Sequence, residues 1–254
     1  MMYKAYCFDL DGTVYTGKEP IESAVTFIHQ LQAQGIEPFY ITNNASKTAE
    51  QFQQALAAIQ IHAPITHIYS SALATGKYIA MNHAGKTVSM IGSEGLQDAL
   101  ARENVPVVEE GGDIFVIGID QNLNYLSLAK AAVAMQNGAI FVSTNPDIKF
   151  PSEYGFLPGN GAFTELVSQV SGVKPLYIGK PSPVMLAIIQ EEHGFAKDEM
   201  VMVGDNYDTD ILCGITFGID TIHVNTGVTS TAEAKLKQQQ ATHHVQKLTD
   251  LIPK

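Results

Sequence analysis

Apolar side chains recur along this chain with two alternating spacings, and the alternation predicts a layered α/β fold. Residues 3–10 form a nearly continuous apolar run, which is typical of a parallel strand buried on both faces. Residues 21–31 carry apolar side chains every three or four positions, which predicts a helix ending near Gly35. Residues 37–42 repeat the strand pattern, and residues 52–59 repeat the helical one. The alternation predicts a doubly wound parallel sheet, because parallel neighbours need helical crossovers.

A long middle segment of the chain has an α/β pattern of its own. The predicted strands there are 87–91, 113–119 and 139–144, and the predicted helices lie at 96–100, 126–135 and 163–170. An insertion that can build its own core is a second domain. We therefore expect a core domain made of residues 1–81 and 176–254, interrupted by a smaller α/β domain at 82–175.

Polar side chains follow several apolar strands at the point where each strand ends. Asp9 and Asp11 follow the first strand, Thr42 follows the second, and Lys180 and Asp205 follow two later ones. Aspartate before glycine is also ordinary turn chemistry. A carboxylate at the end of a buried strand is costly to desolvate, however, and two of them need a cation. Because doubly wound sheets bind ligands at the carboxyl ends of their strands, we expect a functional site there.

Four motifs at these strand ends occur in a fixed order. They are DLDGT at residues 9–13, the strand-terminal Thr42 followed by two asparagines, GKPSP around Lys180, and GDNYDTD at residues 204–210. This ordered set resembles the haloacid dehalogenase superfamily of phosphatases, and the contexts of Thr42 and Lys180 look like its NagD-like branch (class IIA). The resemblance implies a Rossmann-like core and a C2-type cap domain that closes over the active site and selects the leaving group.

The resemblance also implies a role for each motif residue. Asp9 would attack phosphorus and form an aspartyl-phosphate, which splits one difficult displacement into two easier ones. Asp11 would protonate the leaving group and then deprotonate the hydrolytic water. Thr42 would donate a hydrogen bond to a phosphoryl oxygen, and Lys180 would pair with Asp9 and with the phosphate.

A Mg²⁺ cofactor is a further implication of the resemblance, because the motifs supply the hard oxygen ligands that this ion prefers. The predicted ligands are the Asp9 side chain, the Asp11 backbone carbonyl and the Asp205 side chain. Asp210 is expected to orient Lys180 or a metal-bound water, and Asn206 is a further candidate for such support.

Substrate contacts are expected in both domains. Backbone N–H groups around Leu10 and Asn43 would bind phosphoryl oxygens. In the cap, Asn145 and Asp147 follow a strand and are candidates for contacting the leaving group, as is the glycine-rich stretch 159–161. The cap residues also have a purely structural interpretation, since Asn-Pro-Asp is turn composition and glycines commonly precede helices.

The composition of the chain limits the classes of binding partner and the cellular location that we expect. The net charge of −11 at pH 7 argues against nucleic acids and anionic membranes, because no basic stripe can release counterions. No apolar stretch reaches about 18 residues, and the first strand leaves no room for a signal peptide, so we expect a cytoplasmic protein. Cys7 and Cys213 lie in apolar runs and are predicted to be core thiols.

Taken with the motifs, these features predict a Mg²⁺-dependent phosphatase of small phosphate monoesters such as nucleoside monophosphates, sugar phosphates and p-nitrophenyl phosphate. Phosphoglycolate and pyridoxal phosphate stay open as substrates, and a phosphotransferase or mutase would use the same residues. A non-catalytic phosphate-binding or receiver-like signalling module is the alternative from another class. The expected partner is a small phosphorylated metabolite, and homodimerisation is open because no sequence feature reports it.

Several other polar residues are predicted to be structural. Thr13 belongs to the turn after the first strand, and Asp208 is expected to cap a helix that begins at Thr209. Residues 235–240 are predicted to form an exposed helix. The two histidines at 243–244 have no partner at metal-ligand spacing and are expected on a solvated helix face.

Overall fold

The computed structural model describes residues 3–152 and 154–252, and the chain divides into two compact units. The first unit comprises Met1–Thr42, Ala49–Tyr69 and Lys180–Lys254, and the second comprises Asn43–Thr48 and Ser70–Gly179. Each unit contains its own hydrophobic core and its own parallel strands.

The strands and helices alternate through most of the chain. The strands are β1 (Ala5–Asp9), β2 (Tyr15–Thr16), β3 (Glu19–Pro20), β4 (Phe39–Thr42), β5 (Ile68–Ser70), β6 (Val88–Ile91), β7 (Ile114–Ile117), β8 (Ile140–Ser143), β9 (Lys149–Ser152), β10 (Gly155–Pro158), β11 (Leu176–Tyr177), β12 (Met200–Gly204), β13 (Asp220–Val224) and β14 (His243–Val245). The helices are α1 (Glu22–Ala33), α2 (Ala49–Ala58), α3 (Ser71–Asn82), α4 (Glu94–Arg102), α5 (Tyr125–Gln136), α6 (Asn160–Ser171), α7 (Val184–His193), α8 (Leu212–Phe217) and α9 (Thr231–Ala234).

The main sheet has the strand order β14-β13-β12-β1-β4-β5. The pairs β14–β13, β13–β12, β12–β1 and β1–β4 are parallel. Every residue of β1, β4 and β12 is buried, which explains why these strands are uninterrupted apolar runs in the sequence. The register pairs Phe8 with Val203 and Asp9 with Ile41, so the carboxyl ends of these three strands meet at one edge. The predicted doubly wound parallel core is confirmed.

The second unit is built around the sheet β11-β8-β7-β6, in which all neighbours are parallel. Its hydrophobic core combines side chains of β6, β7 and β8 with side chains of α5 and α6. β9 and β10 form a separate antiparallel hairpin. This hairpin was not predicted from the sequence, because each of its strands is only four residues long.

The second unit is larger than the insertion predicted at residues 82–175. It begins at Ser70 because α3 packs against α4. It also includes Asn43–Thr48, where the Ser46 carbonyl accepts a hydrogen bond from the Gly95 N–H at 3.3 Å. Both contacts depend on how separate elements pack in three dimensions, which a hydrophobic pattern does not report.

Three local predictions about the C-terminal region were wrong. Residues 235–240 are turns and bends rather than a helix, and the histidines at 243–244 lie in β14, which pairs with β13. Asp208 does not cap the turn Tyr207–Ile211. Asn206 does so, with its side-chain oxygen accepting from the Asp208 N–H at 3.1 Å. Both cysteines are buried thiols, as predicted.

Among residues 3–152 and 154–252, none of the helices combines the length and the apolar character needed to cross a bilayer.

Candidate active site

Three polar side chains predicted from strand ends come together in the first unit. Asp9 is the last residue of β1, Thr42 is the last residue of β4, and Asp205 directly follows β12. Because β12, β1 and β4 are parallel neighbours, their carboxyl ends place these side chains along one edge of the sheet. All three are buried, with Asp9 only 8% exposed.

Lys180 connects two of the acids at this edge. Its Nζ donates to Asp9 Oδ1 at 2.5 Å and to Asp210 Oδ1 at 2.7 Å. Lys180 is 2% exposed, so these ion pairs lie out of bulk water. The second oxygen of Asp210 accepts from the Asn206 N–H at 3.0 Å. The expected pairing of Lys180 with Asp9 and Asp210 is therefore present, and Asn206 supports it through its backbone.

Asp205 is held by residues far away in the chain. Its Oδ1 accepts from the Thr13 hydroxyl at 2.9 Å, and its Oδ2 accepts from the Val228 N–H at 2.6 Å. A Cβ at Gly227 would lie 2.0 Å from Asp205 Oδ2, so only glycine allows this close approach. The Thr226 hydroxyl in turn donates to the Gly12 carbonyl at 2.6 Å. The donors Thr13 and Val228 thus fix the orientation of the Asp205 carboxylate.

The segment 226–229 was not predicted to belong to the site, and Thr13 was expected to be only structural. The position of this segment in the chain could have indicated its role, because the segment follows the carboxyl end of β13, and β13 is a parallel neighbour of β12. Residues at that position lie at the same edge of the sheet as Asp205. The apolar pattern of β13 ends without an acid or a lysine, so nothing in the residue types drew attention to it.

Burial and mutual repulsion shift the ionisation of this cluster. Burial raises the pKa of Asp9 well above its usual range, and Asp210 and Asp205 add to the rise against the opposing effect of Lys180. Burial and Asp210 likewise raise the pKa of Asp205, although Val228 and Thr13 stabilise its charge. For Lys180, burial lowers the pKa, but Asp210 and Asp9 outweigh that effect and raise it. Lys180 therefore stays an ammonium ion, and this single positive charge does not balance the carboxylates around it.

The donor set fits a divalent metal ion. Asp9, Asp205 and Asp210 each offer a carboxylate oxygen, and these oxygens lie within 4.8 Å of one another. Three ionised carboxylates beside one ammonium ion carry a formal charge of −2, which a divalent cation would balance. Hard cations prefer carboxylate and carbonyl oxygens over nitrogen or sulfur. The cluster could bind such an ion.

The two remaining predicted residues of the first motif differ in exposure. Asp11 is exposed and forms an isolated bridge with Tyr15. Leu10 is fully buried, and its carbonyl accepts from the Val14 N–H at 2.8 Å and from the Tyr15 N–H at 3.1 Å. The turn after β1 is therefore held by backbone hydrogen bonds, with Asp11 at the surface of the unit.

The substrate-contact candidates Asn43, Asn145 and Asp147 come together in the second unit. Asn43 Nδ2 donates to both carboxylate oxygens of Asp147 at 3.2 Å. Asn145 Nδ2 donates to the Asn43 carbonyl at 2.8 Å, and Asn145 Oδ1 accepts from the Asp147 N–H at 3.1 Å. These residues form one hydrogen-bonded polar cluster although about a hundred positions separate Asn43 from the other two.

We expect replacement of Thr13 by valine to weaken activation by divalent metal ions about tenfold, because the isosteric side chain cannot donate to Asp205 Oδ1. Thr13→Ser keeps the hydroxyl and is the matched control. The measurement is the metal concentration for half-maximal phosphate release, together with the melting temperature. Equal metal dependence in the valine variant and the wild type would contradict a supporting role for Thr13.

Comparison with known protein families gives two matches. Residues 6–106 match the family described as haloacid dehalogenase-like hydrolase, and residues 177–251 match a second one described as HAD-hydrolase-like. Together, the two matched segments contain all four motifs recognised in the sequence.

Individual relatives cover nearly the whole chain. An acid sugar phosphatase of Staphylococcus aureus (strain MRSA252) is 45% identical over 251 residues, which is 98% of this chain and 97% of that protein. A double mutant of the thermostable NPPase from Geobacillus stearothermophilus has a TM-score of 0.92 at 40% identity, covering 98% of this chain and 97% of that one. A p-nitrophenyl phosphatase from Archaeoglobus fulgidus has a TM-score of 0.94 at 26% identity, covering 99% and 98%.

Proposed function

This chain belongs to the haloacid dehalogenase-like hydrolases and is a phosphoric monoester hydrolase of their NagD-like branch, and we propose that it hydrolyses sugar phosphates and p-nitrophenyl phosphate with Mg²⁺ as cofactor. The observation that carries the mechanism is the buried Lys180, which bonds both Asp9 and Asp210 at the sheet edge. The similarity to an acid sugar phosphatase and to p-nitrophenyl phosphatases supports the two substrate classes.

In the first step, a carboxylate oxygen of Asp9 attacks phosphorus. The bond between Asp9 and phosphorus forms as the bond between phosphorus and the ester oxygen breaks. Asp11 donates its proton to the departing ester oxygen, so an alcohol leaves instead of an alkoxide. The products of this step are the free alcohol and an aspartyl-phosphate at residue 9.

In the second step, water replaces Asp9 on phosphorus. Asp11, now a carboxylate, accepts a proton from that water as its oxygen attacks. The bond between phosphorus and Asp9 breaks and releases inorganic phosphate, with the Asp9 carboxylate and the Asp11 proton restored. The cycle consumes one water per ester and needs no other reactant.

Lys180, Thr42 and the backbone around Leu10 hold the reacting groups. Lys180 keeps Asp9 oriented and adds a positive charge that attracts the phosphate dianion. Thr42 and nearby N–H groups donate to phosphoryl oxygens. Mg²⁺ held by Asp9, Asp205 and the Asp11 carbonyl would neutralise charge on the phosphoryl oxygens.

The polar cluster of the second unit is the proposed reader of the leaving group. Asp147 offers a carboxylate that suits the hydroxyls of a sugar, and Asn43 holds that carboxylate in place. The Asn145 amide, which was also a candidate for substrate contact, is buried and bonds Asn43 and Asp147, so its proposed role is to hold this cluster together. The physiological partner we propose is a small phosphorylated metabolite of the cytoplasm.

The test is phosphate release from a panel of monoesters, with Mg²⁺ and with excess EDTA. The panel contains p-nitrophenyl phosphate, glucose 6-phosphate, AMP, UMP, phosphoglycolate and pyridoxal phosphate. We expect Mg²⁺-dependent turnover of p-nitrophenyl phosphate and of the sugar phosphate, with many phosphates released per chain. Preference by orders of magnitude in kcat/KM for phosphoglycolate or pyridoxal phosphate would replace the proposed substrate class.

Trapping separates the covalent mechanism from direct attack by water. Borohydride reduces an acyl phosphate to an alcohol. Protein from acid-quenched turnover mixtures that are then treated with borohydride should therefore carry an alcohol in place of the Asp9 carboxylate, detectable by peptide mass spectrometry. Turnover without modification in quenched samples, or modification at another residue, would reject Asp9 as the nucleophile. Folded protein that binds Mg²⁺ and turns over no ester would reject the hydrolase proposal.

A further inference from the structure

A buried polar network lies in the second unit beneath the segment that carries Asn145 and Asp147. Its members are Ser143, Thr144, Asn145, Asn160 and Thr164, and each is at most 5% exposed. Buried polar groups in a small α/β unit need a compensating arrangement of hydrogen bonds. The network is centred on one side chain, Asn160, at the first position of α6.

Asn160 directs its amide group at the carboxyl ends of two strands. Its Nδ2 lies 2.9 Å from Ser143 Oγ, 3.2 Å from Thr144 Oγ1 and 2.9 Å from the Asn145 carbonyl. The Ile117 carbonyl, at the end of β7, lies 3.4 Å away. Within residues 3–152 and 154–252, Asn160 Oδ1 has no hydrogen-bond partner. The side chain therefore acts here as a donor that ties the ends of β7 and β8 to α6.

The hydrogen bonds continue from Asn145 to the Asp147 carboxylate. Asn145, whose carbonyl is held by Asn160, accepts from the Asp147 N–H and donates to the Asn43 carbonyl. Asn43 then donates to both oxygens of Asp147. Asn160 is thus connected to Asp147 through a short chain of contacts, without contacting that carboxylate itself.

The backbone at the start of α6 supports the same segment from the other side. The Gly161 N–H donates to the Asp147 carbonyl at 2.9 Å. A Cβ at Gly161 would lie 2.1 Å from the Pro146 carbonyl oxygen, so the helix can approach this closely only with glycine there. The backbone of 145–147 is consequently fixed by both the side chain and the main chain of residues 160–161.

From these contacts we propose that Asn160 is a positioning residue for substrate recognition, which fixes the segment 145–147 so that the half-buried Asp147 carboxylate meets hydroxyl groups of the leaving group. The proposal rests on the proposed function, since it assigns the segment to sugar phosphates. Asn160 itself is 2% exposed and uses its donors inside the unit, so it does not contact substrate. The glycine-rich stretch singled out in the sequence is then a support for the recognition segment.

The experiment compares Asn160→Ala with Thr164→Val in the full-length protein. Thr164 shares a hydrogen bond of 2.9 Å with Ser143 Oγ, so its replacement disturbs the same network without releasing the segment 145–147. One readout is amide hydrogen exchange of peptides covering residues 145–148. The other is KM and kcat for glucose 6-phosphate, whose leaving group carries hydroxyls, and for p-nitrophenyl phosphate, whose leaving group carries none.

For Asn160→Ala we expect about tenfold faster exchange of the Asp147 N–H, equivalent to the loss of one or two hydrogen bonds. KM for glucose 6-phosphate should rise about tenfold with kcat nearly unchanged, because ground-state and transition-state binding are lost together. The rise for p-nitrophenyl phosphate should be at least about threefold smaller. Thr164→Val should change neither the exchange rate nor either KM.

Three results would overturn the proposal: unchanged exchange in Asn160→Ala, equal losses for both esters, or the same pattern in Thr164→Val. If the alanine variant does not fold, Asn160→Ser, which retains one donor, takes its place with the same criteria. If the wild type hydrolyses neither ester, the proposed function fails, while the exchange comparison still decides whether Asn160 fixes the segment.

Discussion

Replacement of Asp9 by asparagine is expected to lower kcat on the order of 10⁴-fold or more, because an amide oxygen cannot form the acyl phosphate. Asp9 is buried at the end of β1, and its Oδ1 already accepts from Lys180 at 2.5 Å. The neighbouring carboxylates of Asp205 and Asp210 are held in place by hydrogen-bond donors of their own. The measurement is phosphate release from p-nitrophenyl phosphate at saturating substrate and Mg²⁺.

The same variant should keep its fold. Three carboxylates around one ammonium ion leave uncompensated negative charge in a buried site, and Asp9→Asn removes one of those charges. Lys180 retains its partner Asp210 at 2.7 Å. In EDTA, we expect a melting temperature at or above that of the wild type. Added Mg²⁺ should stabilise the wild type more than the variant, because the variant has lost a ligand.

Asp208→Asn is the matched control, because it makes the same chemical change at an exposed residue paired with Lys237. Its activity should stay close to that of the wild type. Substantial activity in Asp9→Asn, or an equal loss in the control, would exclude the aspartyl-phosphate mechanism. Loss of activity accompanied by unfolding would instead indicate that Asp9 serves the fold.

The sequence was informative wherever a chemical requirement coincided with a local pattern. Asp9, Thr42 and Asp205 each follow a continuous apolar run, and parallel strands necessarily end at the same edge, so the pattern alone predicts their proximity. The pairing of Lys180 with Asp9 came from the family resemblance instead. Lys180 and Asp9 are 171 positions apart, and the residues around Lys180 do not indicate which acid it pairs with.

The support around the site could not be predicted in this way, because its contacts join distant segments through ordinary residue types. Thr13 bonds Asp205 across 192 positions, and Asn43 bonds Asp147 across 104. A threonine in a glycine turn and an asparagine after a strand have many other uses. The boundary of the second unit at Ser70 could not be predicted either, since it depends on how the successive helices α3 and α4 pack against each other.

Removal of the buried ammonium ion should have the second large effect, on activity and stability together. Lys180→Met keeps the length and the apolar stem of the side chain but leaves Asp9 and Asp210 without their cation. Breaking one partner of a buried ion pair typically costs about 3–5 kcal/mol. We expect a loss of stability of that size in EDTA, and a fall in kcat/KM of about 10³-fold because the phosphate dianion loses a positive charge.

The cause of the destabilisation can be isolated with a second substitution. If uncompensated charge is responsible, Lys180→Met combined with Asp210→Asn should recover part of the lost stability without recovering activity. Urea unfolding in EDTA measures the stability, and phosphate release in the presence of Mg²⁺ measures the activity. Lys237→Met is the control, since it breaks an exposed pair with Asp208 that should contribute less than about 1 kcal/mol. Equal destabilisation by the two lysine variants, or no recovery in the double variant, would show that the buried charge cluster does not determine the stability of this site.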